Sequence, residues 1–362
     1  MRTGTANLPL HYGKAPRWLF DRMSKLAGEI ATVIVEEHGT EDLLCRLADP
    51  FWFQSFGCVL GFDWHSSGLT TTACGALKEG LKVRQRELGL FVAGGKGAAS
   101  RRTPQEIERL CPSVDKDPAE LIYASRMAAK VDSAGLQDGY QIYHHTFVFN
   151  QQGMWCVIQQ GMNASTRFAR RYHWLSEGLE DFICEPHAAI CCDEKGEVLN
   201  MVARESEQAR ETSTTLSREE PERLVTELKK LKRLELPSHH EVRLSDVHPD
   251  RLHAIFLKTY EQQPDDFESL LGMRGVGAKT IRALSLISEL VYGVAPSFRD
   301  PVRYSFAHGG KDGHPYPVDR TNYDHSIATL EHALGRARLG DREKLAALRR
   351  LSSWGEQTKP RS

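Results

Sequence analysis

From Pro16 to His38 the apolar residues Trp18, Leu19, Met23, Leu26, Ile30, Val33 and Ile34 return every three or four positions, which predicts an amphipathic helix. The segment "DPFWFQSFGCVLGFDWHSSGLTTTACGALKEGL" that follows is denser in aromatics and glycine. "LGLFVAGG" reads as a short strand running into a glycine loop. Helices follow over "RRTPQEIERL" and "DPAELIYASRMAAKV", with Thr103 and Glu106, and Asp117 and Glu120, at capping-box spacing. The period then shortens to two. "YQIYHHTFVF" and "MWCVIQQ" flank "NQQG" and predict a β-hairpin. Closure between Asn150 and Gly153 would set His145 opposite Ile158 and Tyr143 opposite Gln160. Tyr143, His145, Phe147, Phe149, Met154, Cys156, Ile158 and Gln160 would then share one face. A further strand pair is expected within "DFICEPHAAICCDEKGEVLN", turning at Lys195-Gly196.

Beyond residue 202 the pattern changes. "ARESEQARETSTTLSREEPER" is polar and reads as a linker that passes into the charged helix "LVTELKKLKRLEL". Residues 237–351 carry mostly helical spacing, and the chain from 352 reads as a disordered tail. The expected fold is therefore α+β. A mixed N-terminal domain over 1–202 has a hairpin-rich sheet, and residues 203–236 join it to a mainly helical C-terminal domain over 237–351.

Within that second domain, "LLGMRGVGAKTIRALSLISELVYG" sets a glycine turn between two apolar helical runs. Glycines there allow positive φ and close backbone approach. A second helix opening near Ala278 leaves its first N–H groups without intrahelical acceptors, and Lys279 adds a full positive charge beside them. Gly275, Val276, Gly277, Ala278, Lys279 and Thr280 are thus candidates for holding a phosphate.

Composition narrows the classes. The chain has 362 residues and a formal net charge of −1, so any nucleic-acid binding must come from a basic face and not from the total. Its eight cysteines form no Cys-x-x-Cys pair, which argues against a zinc ribbon and for reduced thiols in the cytoplasm. No run is long enough to span a bilayer, and the start does not read as a secretory signal.

Candidate chemistry concentrates in the N-terminal half. "GFDWHSSG" offers Asp63 and His65, "VDSAGLQDGYQIYHH" offers Asp132, Asp138, His144 and His145, and "QQGMNASTRFARRYHW" adds Arg170 and Arg171. Carboxylates with imidazoles can hold Mn²⁺ or Mg²⁺ and generate a nucleophilic water, while arginines neutralise a phosphate. Asp63, His65, Asp138 and His144 are the metal-ligand candidates; Asp132, His145, Arg170 and Arg171 complete the catalytic set. "VAGGKGAASRR" lacks the Gly-Lys-Ser/Thr of a nucleotide loop, so Lys96, Arg101 and Arg102 are read as contacts to a nucleic-acid backbone. A second polar cluster, with Asp300, His308, His314, Asp319, Asp324 and His325, lies in "FRDPVRYSFAHGGKDGHPYPVDRTNYDHS".

Six of these stretches, "RTGTANLPLHYGKAPRWLF", "DPFWFQSFGCVLGFDWHSSG", "VAGGKG", "QDGYQIYHH", "ARRYHW" and "SFAHGGKDGHPYPVDR", together resemble the family numbered 763 among the domains of unknown function. The resemblance spans nearly the whole chain and implies a DNA-related, nuclease-like role. Locally, "GVGAKT" resembles the helix-hairpin-helix motif, which implies a sequence-independent grip on the DNA backbone. The expected function is a divalent-metal-dependent DNase acting on single-stranded or branched DNA, with a homodimer left open. Two rivals stand beside it. The hairpin is also similar to that of helix-hairpin-helix glycosylases, whose bifunctional members place a Schiff-base lysine where Lys279 sits; neither Asp300 nor Asp319 keeps their aspartate spacing. The other rival is a non-catalytic DNA-binding accessory protein in repair or recombination.

Overall fold

The computed structural model describes residues 16–61, 68–192, 194–231, 248–302 and 320–357. The fold is α+β, and it is built around a five-stranded antiparallel sheet with helices on both faces. The sheet runs in the order β1 (Leu90–Lys96), β3 (Gln141–Asn150), β4 (Trp155–Met162), β5 (Ala169–Leu175) and β6 (Ala189–Cys191). The short strand β2 (Leu136–Gln137) pairs instead with β7 (Leu199–Asn200). The expected hairpin at Lys195-Gly196 is therefore absent: its two arms join different sheets. No helix among the described residues is long and apolar enough to cross a membrane.

One face of the sheet is covered by α1 (Arg17–Ala48), α2 (Pro50–Leu60) and α3 (Gly68–Leu81). Of the stripe that predicted α1, Met23, Leu26, Ile30, Val33 and Ile34 are buried, Leu19 is half-buried and Trp18 is exposed. Asp49 caps α2 by accepting the N–H groups of Phe51 and Trp52. α1 and α3 touch at Gly28 and Gly80, where a Cβ on Gly80 would lie 2.1 Å from the Ser24 carbonyl oxygen. That atom belongs to backbone and cannot yield without parting the helices. Gly80→Val is expected to cost about 3 kcal/mol or more, above the usual range for overpacking. A thermal melt within a degree or two of the parent would show the crossing to be loose.

The hairpin β3–β4 forms, with a different register from the one expected. Asn150 N donates to the Met154 carbonyl at 2.9 Å, Asn150 Oδ1 accepts Met154 N–H at 2.8 Å, and Gly153 takes φ +86°. The loop holds three residues instead of two, a length that uses a glycine in the left-handed region. His145 consequently lies opposite Gln159 and Thr146 opposite Ile158. A slip of one residue exchanges faces. Cys156 and Ile158 thus join His144, Thr146 and Val148 under α1–α3, while His145, Phe147 and Phe149 point the other way.

The short helices α4 (Gln85–Leu88) and α5 (Ala98–Arg101) flank β1, and on that second face lie α6 (Thr103–Leu110), α7 (Pro118–Lys130), the π-turn Val131–Gly135 and the helices α8 (Glu207–Ser217) and α9 (Pro221–Leu231). With them pack α10 (Pro249–Gln262), α11 (Phe267–Gly272) and α12 (Ala278–Tyr292). Asp117 caps α7 as its spacing predicted, accepting Ala119 N–H at 2.9 Å. Thr103 and Glu106 do otherwise. The Glu106 carboxylate accepts Gly94 N–H and pairs with Lys78, which clamps β1 to α3. The stretch expected as a linker folds as α8, whose Ala209, Arg210, Ser213, Thr214 and Leu216 are buried against α12. α13 (Arg320–Arg336) and α14 (Asp341–Gln357) return to the first face and pack on α1 and α2.

Candidate functional site

The sheet separates the candidate residues into three groups. The first is a transverse row on the α1–α3 face: Lys96, His144, Gln160, Arg171 and Cys191 are successive cross-strand neighbours over five strands. A bulge between Ile142 and His144 turns Tyr143 to the same side, where its hydroxyl meets the Gln160 amide and its ring carries Lys96 at 5.8 Å. Arg171 is 1% exposed, donates to Gln54 Oε1 at 2.8 Å and lies over the Phe53 ring at 4.8 Å. His144 shares a hydrogen bond with Thr146, and His173 shares one with the Leu47 carbonyl; His144 Nδ1 and His173 Nε2 are buried with no protein partner among the described residues. Burial pushes His144 down to about 3, helped by His145 and Lys96, and holds His173 well below the ordinary imidazole value. Burial also raises the thiols of Cys74 and Cys191 to about 12, so neither is a nucleophile at neutral pH.

The second group is an ionic core on the opposite face. Arg170, 1% exposed, donates to Asp138 Oδ2 at 3.0 Å and spans both oxygens of Asp300 at 3.2 and 2.8 Å. Its guanidinium also stacks on Tyr140 at 4.5 Å. Asp138 further accepts the Tyr172 hydroxyl at 2.6 Å and Tyr140 N–H at 3.0 Å; Asp300 accepts Gly196 N–H and Val302 N–H. Arg170 is thus engaged by two carboxylates instead of facing a phosphate. Asp138 cannot join His144 in one metal centre, because its partners lie across the sheet from that imidazole. Asp300, which does not keep the glycosylase aspartate spacing, has both oxygens occupied.

The third group is a buried chain of hydrogen bonds. Gln159 uses its amide nitrogen on Asp132 Oδ2 and the Ala128 carbonyl, so its oxygen accepts His145 Nδ1–H at 2.9 Å. His145 Nε2 then accepts the Ser125 hydroxyl at 2.9 Å. Asp132 also takes Trp174 Nε1–H at 3.0 Å and His187 Nε2–H. Burial lowers the His145 pKa, against the pull of Gln159 and Asp132. His187 is a residue the sequence reading missed. Nothing in "CEPHAAICC" marks it, and only the pairing of β5 with β6 brings it to Asp132.

Apart from these three groups, α11 and α12 form the expected helical corner. Gly275 takes φ +102°, whereas Gly277 is extended, and no atom lies within 4 Å of where its Cβ would be. The N–H groups of Gly275, Gly277, Ala278 and Lys279 meet no protein acceptor among the described residues, and Lys279 and Arg274 are exposed. Val276 and Thr280 are each 2% exposed, so their side chains serve the core. The corner is fixed from below: Lys130 reaches the carbonyls of Met273 and Val276, and Gln137 donates to the Ala278 carbonyl at 2.9 Å. Lys96, Arg101 and Arg102 are exposed where β1 turns toward α6. Asp63, His65, His308, His314 and Asp319 lie outside the described residues. Among the described residues, no three His, Cys, Asp or Glu side chains are grouped to hold a metal ion.

A family model described as a protein of unknown function (DUF763) matches residues 4–318. No curated protein and no solved structure matches the chain.

Proposed function

The chain belongs to the DUF763 family, and from that premise we propose that it is a DNA-processing protein which grips the sugar–phosphate backbone through the α11–α12 corner and hydrolyses it in the N-terminal half. The observation that carries the binding is the set of N–H groups of Gly275, Gly277, Ala278 and Lys279, which meet no protein acceptor among the described residues, beside two exposed cations. Such a set suits a phosphate and reads no base, so the grip is independent of sequence. Hydrolysis is assigned to the N-terminal half because the buried imidazoles and carboxylates of the sheet lie there, with Mn²⁺ or Mg²⁺ as the proposed cofactor. With its side chains committed to Asp138, Asp300 and Gln54, the Arg170–Arg171 pair takes no part in phosphate binding in this reading.

The binding claim is tested by salt titration. Lys279→Ala and Gly277→Val should each flatten the slope of log K against log salt on duplex DNA by about one phosphate contact. Valine at Gly277 is tolerated by the extended backbone and the open space around it, and it shields the N–H groups. If both variants bind as the parent does, the corner is only a joint between helices. Incubation of the parent with single-stranded, branched and duplex DNA, with Mn²⁺, Mg²⁺ or chelator, tests the hydrolysis.

A further inference from the structure

A cleft of about 180 Å³ opens where β6, β7 and the segment 297–302 meet, and His187 forms part of its wall. The ring is held from behind. His187 Nε2 bonds Asp132 Oδ1 at 2.5 Å, and its ring lies against Trp174 at 4.6 Å between centroids, tilted by 59°. Asp132 is completely buried and receives three donors, from Gln159, Trp174 and His187, as an ionised carboxylate would. A carboxylate in that position fixes the proton on Nε2. Nδ1 is left with its lone pair and meets no protein donor among the described residues. This arrangement of a buried aspartate, an oriented imidazole and one free ring nitrogen beside a cleft is that of a general base.

Three further observations place it near the DNA grip and mark it as built for use. Asp132 belongs to the π-turn Val131–Gly135, and such turns recur at functional sites. The residue before that turn, Lys130, holds the carbonyls of the α11–α12 corner, while a Cβ on Gly135 would lie 3.2 Å from Val202 in the cleft wall and 3.6 Å from Leu271 of α11. Glu185, on the cleft rim two residues before His187, has φ +50°, a conformation that non-glycine residues rarely adopt and that collects at functional sites. The cleft wall holds Lys195 and Arg299 together with the carboxylates of Glu185, Glu205 and Asp300, Arg299 facing Glu205 at 3.9 Å.

We propose that His187, oriented by Asp132, is the general base of a phosphodiester-hydrolysing site in this cleft, an inference that rests on the hydrolytic reading above. His187 Nδ1 takes a proton from a water; the water oxygen forms a bond to phosphorus, and the bond from phosphorus to the leaving sugar oxygen breaks. The imidazolium then returns its proton to that oxygen, leaving a phosphomonoester and a free hydroxyl. The Asp132 carboxylate, bonded to Nε2, stabilises the imidazolium. Arg299, whose side chain is 84% exposed, neutralises the phosphate.

The test compares His187→Gln, His187→Ala and His144→Ala with the parent in the full chain, on single-stranded DNA. Glutamine can still donate to Asp132, so the fold has no reason to fail, but it cannot accept a proton. A loss of a hundredfold or more in cleavage rate is expected for His187→Gln, with unchanged DNA affinity and a pH–rate profile that no longer falls on the acid side. Added imidazole should restore part of the rate to His187→Ala. Parent-like cutting by His187→Gln would overturn the assignment and leave the hydrolytic reading standing; loss in His144→Ala alone would move the base to the other face of the sheet. A parent that cuts no DNA with any metal overturns both.

Discussion

Acidification from pH 7.5 to 5 is expected to strip this protein of several kcal/mol of stability while its carboxylates are still largely ionised. The cause is three imidazoles, His144, His145 and His173, that burial keeps neutral in the folded state, with pKa values lowered and that of His144 down to about 3. In the unfolded chain they titrate near the ordinary value of about 6.5. Below that pH the unfolded state binds protons that the folded state refuses, so stability falls with pH. The window opens at about 6.5 and, for His144, extends to about 3. Each imidazole contributes a slope of up to about 1.4 kcal/mol per pH unit, and three together about 4. Asp138 works in the opposite sense. Burial pushes its carboxyl above the ordinary range against the pull of Arg170, so the folded state gains a proton as pH falls and offsets part of one imidazole. Urea denaturation at pH 7.5, 6 and 5 measures the slope, and His145→Gln should reduce it by about a third. Equal midpoints at all three pH values would mean that the imidazoles are not held neutral.

The largest effect of a single substitution is expected at Arg170. Arg170→Met leaves Asp138 and Asp300, whose side chains are 1% and 4% exposed, without their shared countercharge. Removing one partner of a buried ion pair costs about 3–5 kcal/mol, and here two carboxylates lose the same arginine. Arg170→Lys should rescue little, since an ammonium cannot span both oxygens of Asp300 and reach Asp138 as well. The urea midpoint should drop with the slope unchanged. The reading of Arg170 as a phosphate contact makes the opposite forecast: weakened DNA binding at full stability. One pair of measurements decides between them.

Local pattern made much of this legible and concealed the rest. The stripe of α1, the period-two run of β3 and the glycine corner before Ala278 are properties of neighbouring residues, so they could be read directly. The register of β3 and β4 could not. "NQQG" suits a loop of two or three residues, and only Asn150 reaching Met154 decides between them. α8 escaped because its polar residues are buried for the bonds they make: Arg210 donates to the carbonyls of Met201 and Ala203, and Thr214 to that of Arg210. The candidate site suffered from the same blindness to distance. Adjacent in sequence, Arg170 and Arg171 point to opposite faces of one strand, while Asp132 and His187 are brought together from 55 residues apart. Which charged side chains neutralise one another depends on the sheet.

The return of α13 and α14 to the first helix layer has a consequence for the chain as it leaves the ribosome. Leu330, Leu334, Ala347 and Leu351 complete the apolar cluster begun by Met23, Ile30 and Phe53, and Arg350 donates to the Val59 carbonyl. Until those last residues emerge, the apolar faces of α1 and α2 that receive α13 and α14 stay uncovered. Synthesis proceeds at about 5–20 residues per second, so that exposure lasts tens of seconds, long enough for a holdase to bind. A nascent chain stalled near residue 310 should therefore stay protease-sensitive in its first sixty residues, although every residue of the sheet is already outside.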